Sequence, residues 1–207
     1  MRRMQALGPL VLTLGTLAVA ACEEEEKTKL EAPAGCGDED PRPQSVTLRN
    51  DSTDAIYVVG PIGKTLFDVS RDGEAYDTTQ PICTCETEMT QGTSCVASGP
   101  DTWIVVVQPG ASWSFQWSGL AVLERGESCS DGLASCDQLV RVPDGVYQVA
   151  VPIASDVQGC FLGGCVCQSG ETSCRLEASG PTATPVTTLT GDLDVGEGTL
   201  ELVYTGT

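Results

Sequence analysis

Trp103-Ile104-Val105-Val106-Val107-Gln108-Pro109-Gly110-Ala111-Ser112-Trp113-Ser114-Phe115-Gln116-Trp117 carries two strand signals back to back. Its first five residues are β-branched or aromatic and apolar on both faces, as in a central strand. Pro109-Gly110 then turns the chain, proline presetting φ and glycine accepting a positive one. The return leg alternates strictly, with Trp113, Phe115 and Trp117 on one face and Ser112, Ser114 and Gln116 on the other. That period of two belongs to a strand with one wet side. An exposed aromatic row would stack on sugar rings or an apolar partner. A buried row is core, which the polar opposite face favours.

The same signals recur on both sides of this stretch. Gln44 to Asn50 alternates, with Val46 and Leu48 on one face, and Asn50-Asp51-Ser52-Thr53-Asp54 is a turn cluster. Ala55 to Val59 and Thr65 to Val69 supply two more strands. Another, Gly145 to Pro152, opens at Pro143-Asp144-Gly145. Val186 to Leu193 and Thr199 to Tyr204 read as a final hairpin around Gly196-Glu197-Gly198. No stretch holds apolar residues at helical spacing for three turns. About seven short strands between turns predict an all-β, antiparallel β-sandwich. The alternating spans are too few for an outer-membrane barrel.

Val107 to Gly119, followed by Val142-Pro143-Asp144-Gly145-Val146-Tyr147-Gln148-Val149-Ala150, resembles a family pattern. A Pro-Gly turn, a Trp-bearing strand and a Gly-x-Tyr strand start are similar to those of the bacterial intracellular proteinase inhibitor family. The resemblance implies an immunoglobulin-like sandwich for about residues 44–153. No inhibitory residue is carried over from it.

The amino-terminal end has a different character. Arg2 and Arg3 head an apolar stretch from Leu7 to Ala21, short of the ~20 apolar residues a bilayer span needs. This is the form of a secretory signal, residues 1–21. Val19-Ala20-Ala21-Cys22 resembles the lipobox of bacterial lipoproteins. The resemblance implies a diacylglyceryl group on the Cys22 thiol, cleavage just before Cys22, and a membrane partner held through lipid. Each buried CH₂ of such a chain contributes ~0.8 kcal/mol. Residues 22–43 contain Glu23 to Glu26, Asp38-Glu39-Asp40 and three prolines, and read as an acidic, solvated tether. The domain is then expected over residues 44–207.

Composition bounds the chemistry. The 207 residues contain 29 Asp+Glu, 11 Lys+Arg and no histidine, for a formal charge of −18. Without imidazole, histidine-dependent triads and His-ligated zinc are excluded. The negative charge repels phosphate backbones, so no nucleic-acid partner is expected. No phosphate-binding glycine loop is present, and no cofactor is expected. Asp192-Leu193-Asp194-Val195-Gly196 resembles the start of a calcium loop but lacks the spacing of its later ligands, and reads as a turn.

Of the eleven cysteines, setting Cys22 aside leaves Cys36, Cys83, Cys85, Cys95, Cys129, Cys136, Cys160, Cys165, Cys167 and Cys174. An even number in an exported chain predicts disulfides. Cys129 and Cys136 close a short polar loop and are expected to pair. Cys83-Thr84-Cys85 and Cys165-Val166-Cys167 each precede a Thr-Ser-Cys ending in Cys95 and Cys174. Side chains two apart on a strand lie side by side with poor geometry for bridging each other. Each pair is therefore expected to send one sulfur to its own loop and one elsewhere. Redox-active or metal-binding thiols are the alternatives; no metal site is expected.

These signals predict a non-catalytic, lipid-anchored envelope protein with a binding or structural role, outer membrane favoured, meeting an envelope protein through cysteine-stiffened loops at 83–95, 129–136 and 160–174. A protease inhibitor outside the cytoplasm is one alternative, and a hydrolase or thiol enzyme another.

Overall fold

The structure, a computed structural model, describes residues 30–31, 33–81, 84–85, 102–126, 135–160, 165–178, 183–196 and 198–206. It is all-β. Among the described residues twelve strands follow one another: β1 (Gln44–Asn50), β2 (Ile56–Pro61), β3 (Asp68–Arg71), β4 (Glu74–Tyr76), β5 (Thr102–Val107), β6 (Ser112–Trp117), β7 (Leu120–Gly126), β8 (Ser135–Arg141), β9 (Val146–Ala154), β10 (Ser173–Ala178), β11 (Pro185–Asp194) and β12 (Thr199–Tyr204).

One sheet has the order β12-β1-β6 and the other the order β10-β5-β2-β9-β3-β4, with β11 paired to β9. Their facing sides form the main core. Val46, Leu48, Phe115, Trp117, Leu202 and Tyr204 from the first sheet meet Val58, Val69, Val105, Val107, Tyr147, Val149, Val151 and Leu193 from the second. The aromatic row of β6 is thus core. Phe115 and Trp117 are buried, Trp113 is partly buried against the same cluster, and Ser112, Ser114 and Gln116 are exposed.

Local chemistry sets the turns. The Asn50 side chain is fully buried, donating to the Asp54 and Val107 carbonyls at 2.8 and 2.9 Å and accepting from Ser52 N–H. It ties the β1–β2 turn to β5 and leaves no amide group unpaired. The Tyr147 hydroxyl donates to the Pro143 carbonyl at 2.7 Å, four residues upstream. That is the tyrosine corner found in immunoglobulin-like sandwiches. The acidic stretch around Gly73 is a hairpin: Asp72 and Gly73, at φ 53° and 79°, turn β3 into β4.

Two expectations are corrected. The final two strands are not a hairpin. β11 pairs antiparallel with β9, whereas β12 pairs in parallel with β1 in the opposite sheet. Both strands have an apolar face that must reach the one core, and lying in facing sheets lets both do so. The turn between them crosses the sandwich, with Gly196 and Gly198 N–H bonded to the Asp194 carboxylate and carbonyl. Gly191 lets the layers meet there, since a Cβ at that position would lie 2.7 Å from Leu202 Cδ2.

The second correction concerns the tether. Residues 33–42 are docked rather than solvated throughout. Glu39 N–H donates to the Leu139 carbonyl at 3.0 Å, and Leu139 N–H donates to Asp38 Oδ1 at 2.9 Å. Arg42 N–H donates to the Ser118 carbonyl at 2.7 Å, and Leu30 packs against the main core. The segment lies along the free edge of β8, whose Gln138 side chain is fully buried and donates to the Gly35 and Gly37 carbonyls. Covering that edge removes a row of unpaired backbone groups.

β7 and β8 form their own two-stranded sheet, with Glu124 directly opposite Asp137. Partial burial, then Glu124, then Asp77 push the Asp137 carboxyl above its ordinary range. A carboxyl raised on folding weakens the fold where it is charged, and the penalty fades as pH falls through its folded-state value. Asp137→Asn should therefore raise the melting temperature at pH 7, by up to ~1 kcal/mol of stability, with no gain at pH 3. Thermal melts at the two pH values check this, and an equal gain at both would remove charge as its cause.

Candidate functional site

The cysteines and the outward face of β5 belong together. Ile104 and Val106 on β5 point away from the main core yet are fully buried. Above them lie Cys165, Cys174 and Ala178, with Tyr57, Val59, Val157, Cys160, Cys167 and Leu176 around the edge. The chain after β9 has folded back over the sheet as a third layer. Cys160–Cys165 and Cys167–Cys174 staple it, with sequence separations of 5 and 7. Glu171 and Gln168 close its turn through hydrogen bonds of 3.0 and 3.1 Å. So few residues supply little apolar area, and cross-links compensate for a small core.

β10 links this layer to the sandwich. It pairs with β5 from Ser173 opposite Val107 to Ala178 opposite Thr102. Its Cys174, Leu176 and Ala178 join the outer layer, so Ser173, Arg175 and Glu177 occupy the face turned toward β6. Ser173 Oγ donates to the Ser112 carbonyl at 3.0 Å. The polar face of an edge strand thus looks across the free edge of the smaller sheet.

The predicted disulfide residues distribute as follows. Cys165 and Cys167 take different partners, one within its own loop and one outside it. Cys136 is bonded to Cys85 across a separation of 51, which overturns the expected Cys129–Cys136 pairing. The reason is strand alternation. On β8, Cys136 shares the buried face with Gln138 and Val140, where Cys85 is completely enclosed. Cys36 is disulfide-bonded too and packs against that bridge. Cys22, Cys83, Cys95 and Cys129 lie outside the described residues. Cys167, Glu171 and Cys174 bring three ligand-type atoms together, but both sulfurs are spent on each other and offer no thiolate.

A cleft of about 340 Å³ opens beside the β10–β5 edge, lined among others by Lys64, Thr65, Gln80, Trp103, Gln116 and Arg175. The Arg175 guanidinium lies over the Trp103 ring, 4.0 Å from its centroid. Trp103 in turn is partly buried against the main core, which fixes the stack from beneath. Comparison of the chain with protein families, curated proteins and solved structures finds no match to any of them. The cleft must be read from its own chemistry. Sequence patterning missed it because its residues come from five separate segments, and Arg175 looks like any exposed charge until β10 is seen with its apolar face outward.

Proposed function

We propose that this chain is a lipid-anchored, exported bacterial envelope protein with a non-catalytic binding role, held at the membrane through Cys22. One observation carries the proposal: all seven described cysteines are disulfide-bonded. Cross-links of this kind persist in oxidising compartments and are rare in the cytosol. An export signal ending in Val19-Ala20-Ala21-Cys22 supplies both the route to such a compartment and a thiol for acylation. The oxidised sulfurs leave none of the seven as a nucleophilic thiolate, which weighs against a thiol enzyme. Two acyl chains give stable attachment where one gives only reversible binding.

Labelling with radioactive palmitate and intact mass of the full chain in a bacterial host test the proposal. The wild type should appear in the membrane fraction, labelled, and begin at Cys22. Cys22→Ser should be unlabelled and uncleaved. An unprocessed wild type without acyl mass, with reduced thiols, would refute it.

A further inference from the structure

We propose that the cleft beside Trp103 is a binding site for a carboxylate-bearing sugar, one residue of an acidic saccharide. The ligand assignment deepens the binding role above but is independent of the acyl anchor, so either can fail alone. Charge distribution is the first argument. Seven cations lie among the described residues, and five are engaged elsewhere. Arg42 pairs with Asp144 and Arg49 with Asp51 and Glu201. Arg71 reaches the Asp144 carbonyl, Arg125 the Pro33 and Gly35 carbonyls, and Arg141 the Asp40 carbonyl. The remaining two, Lys64 and Arg175, line the same cleft, and among the described residues no Asp or Glu lines it with them. In a chain with 29 acids, that absence defines a local positive site. Lys64 reaches Asp68 at 4.0 Å and helps to hold the nearby Asp77 carboxyl below its ordinary range, and Arg175, with Glu177 on the same strand face, makes no ion pair among the described residues.

The second argument is preorganisation. Stacking on Trp103 holds the Arg175 plane in place while leaving its N–H groups available, so little rotamer entropy is lost on binding a carboxylate. The third is the neutral lining. Gln80 and Gln116 line the cleft with amides that both donate and accept, matching sugar hydroxyls better than a bare anion, although one Gln116 N–H is given to Ser45 Oγ and the Thr65 hydroxyl is held by the Phe67 carbonyl and Thr78. A volume of about 340 Å³ is at the small end of ligand sites, which suits a single ring rather than a long chain segment.

Isothermal titration calorimetry with the full chain at low salt decides it, using a galacturonate oligomer, a neutral glucose oligomer and inorganic phosphate as probes. Binding of the galacturonate oligomer alone is expected. Arg175→Gln and Lys64→Gln should each weaken it at least ~10-fold, with circular dichroism and melting temperature unchanged. Arg175→Lys should recover only part, because ammonium cannot present the planar fork. Absence of galacturonate binding would overturn the assignment. So would equal affinity for the neutral oligomer, equal affinity for phosphate, or full affinity in both charge-removing variants.

Discussion

Replacing Cys85 and Cys136 together by alanine is expected to cost about 4 kcal/mol of unfolding free energy, against about 2 kcal/mol for either short bridge. Chain entropy sets the difference. A bridge limits the unfolded chain more as the loop it closes lengthens, and the separations are 51, 5 and 7 residues. Packing adds to the effect, because Cys85 is fully enclosed and Cys36 lies against the same bridge. Urea titrations of the three double-alanine variants supply the test. A Cys85–Cys136 variant no less stable than the other two would show that this bridge stabilises by some other means.

The second large effect concerns the outward face of β5. In a two-layer sandwich, truncating an outward side chain shifts stability by less than ~0.5 kcal/mol. Here Ile104 is roofed by the stapled layer, so Ile104→Ala should cost about 2–4 kcal/mol, as for any core truncation. The loss should depend on the staples. With Cys160, Cys165, Cys167 and Cys174 all alanine, the roof is loosened and the same substitution should cost much less. A double-mutant cycle measures that coupling directly. Zero coupling would mean that Ile104 is enclosed without help from the cysteines.

Much of the fold is legible in period-two patterning. β1, β6 and β9 are read at nearly their observed bounds because each has one apolar and one polar face. β5 is recognisable as apolar on both faces, though nothing in the sequence reveals that its second cover is a cysteine-rich loop rather than another sheet. β10 escapes notice for the converse reason. Ser173-Cys174-Arg175-Leu176-Glu177-Ala178 alternates, but cysteine and alanine are faint apolar signals. Docking of residues 33–42 is invisible to composition, because backbone carbonyls rather than apolar side chains make the contacts. Proximity in sequence misleads at Cys136, where the direction of a strand side chain decides the partner. Pairing between β12 and β1 is also hidden, since a glycine-containing turn serves equally for a hairpin and for a crossing between sheets.

The seated segment at residues 33–42 shortens the protein's leash. If acyl chains hold Cys22, Leu30, which packs against the core, stands only eight residues further on, a separation of at most roughly 28 Å. A chain loose to Gln44 would extend to roughly 75 Å. On the proposed anchoring the folded body would stay close to the lipid headgroups, and its partners would be molecules that come within a short distance of the bilayer.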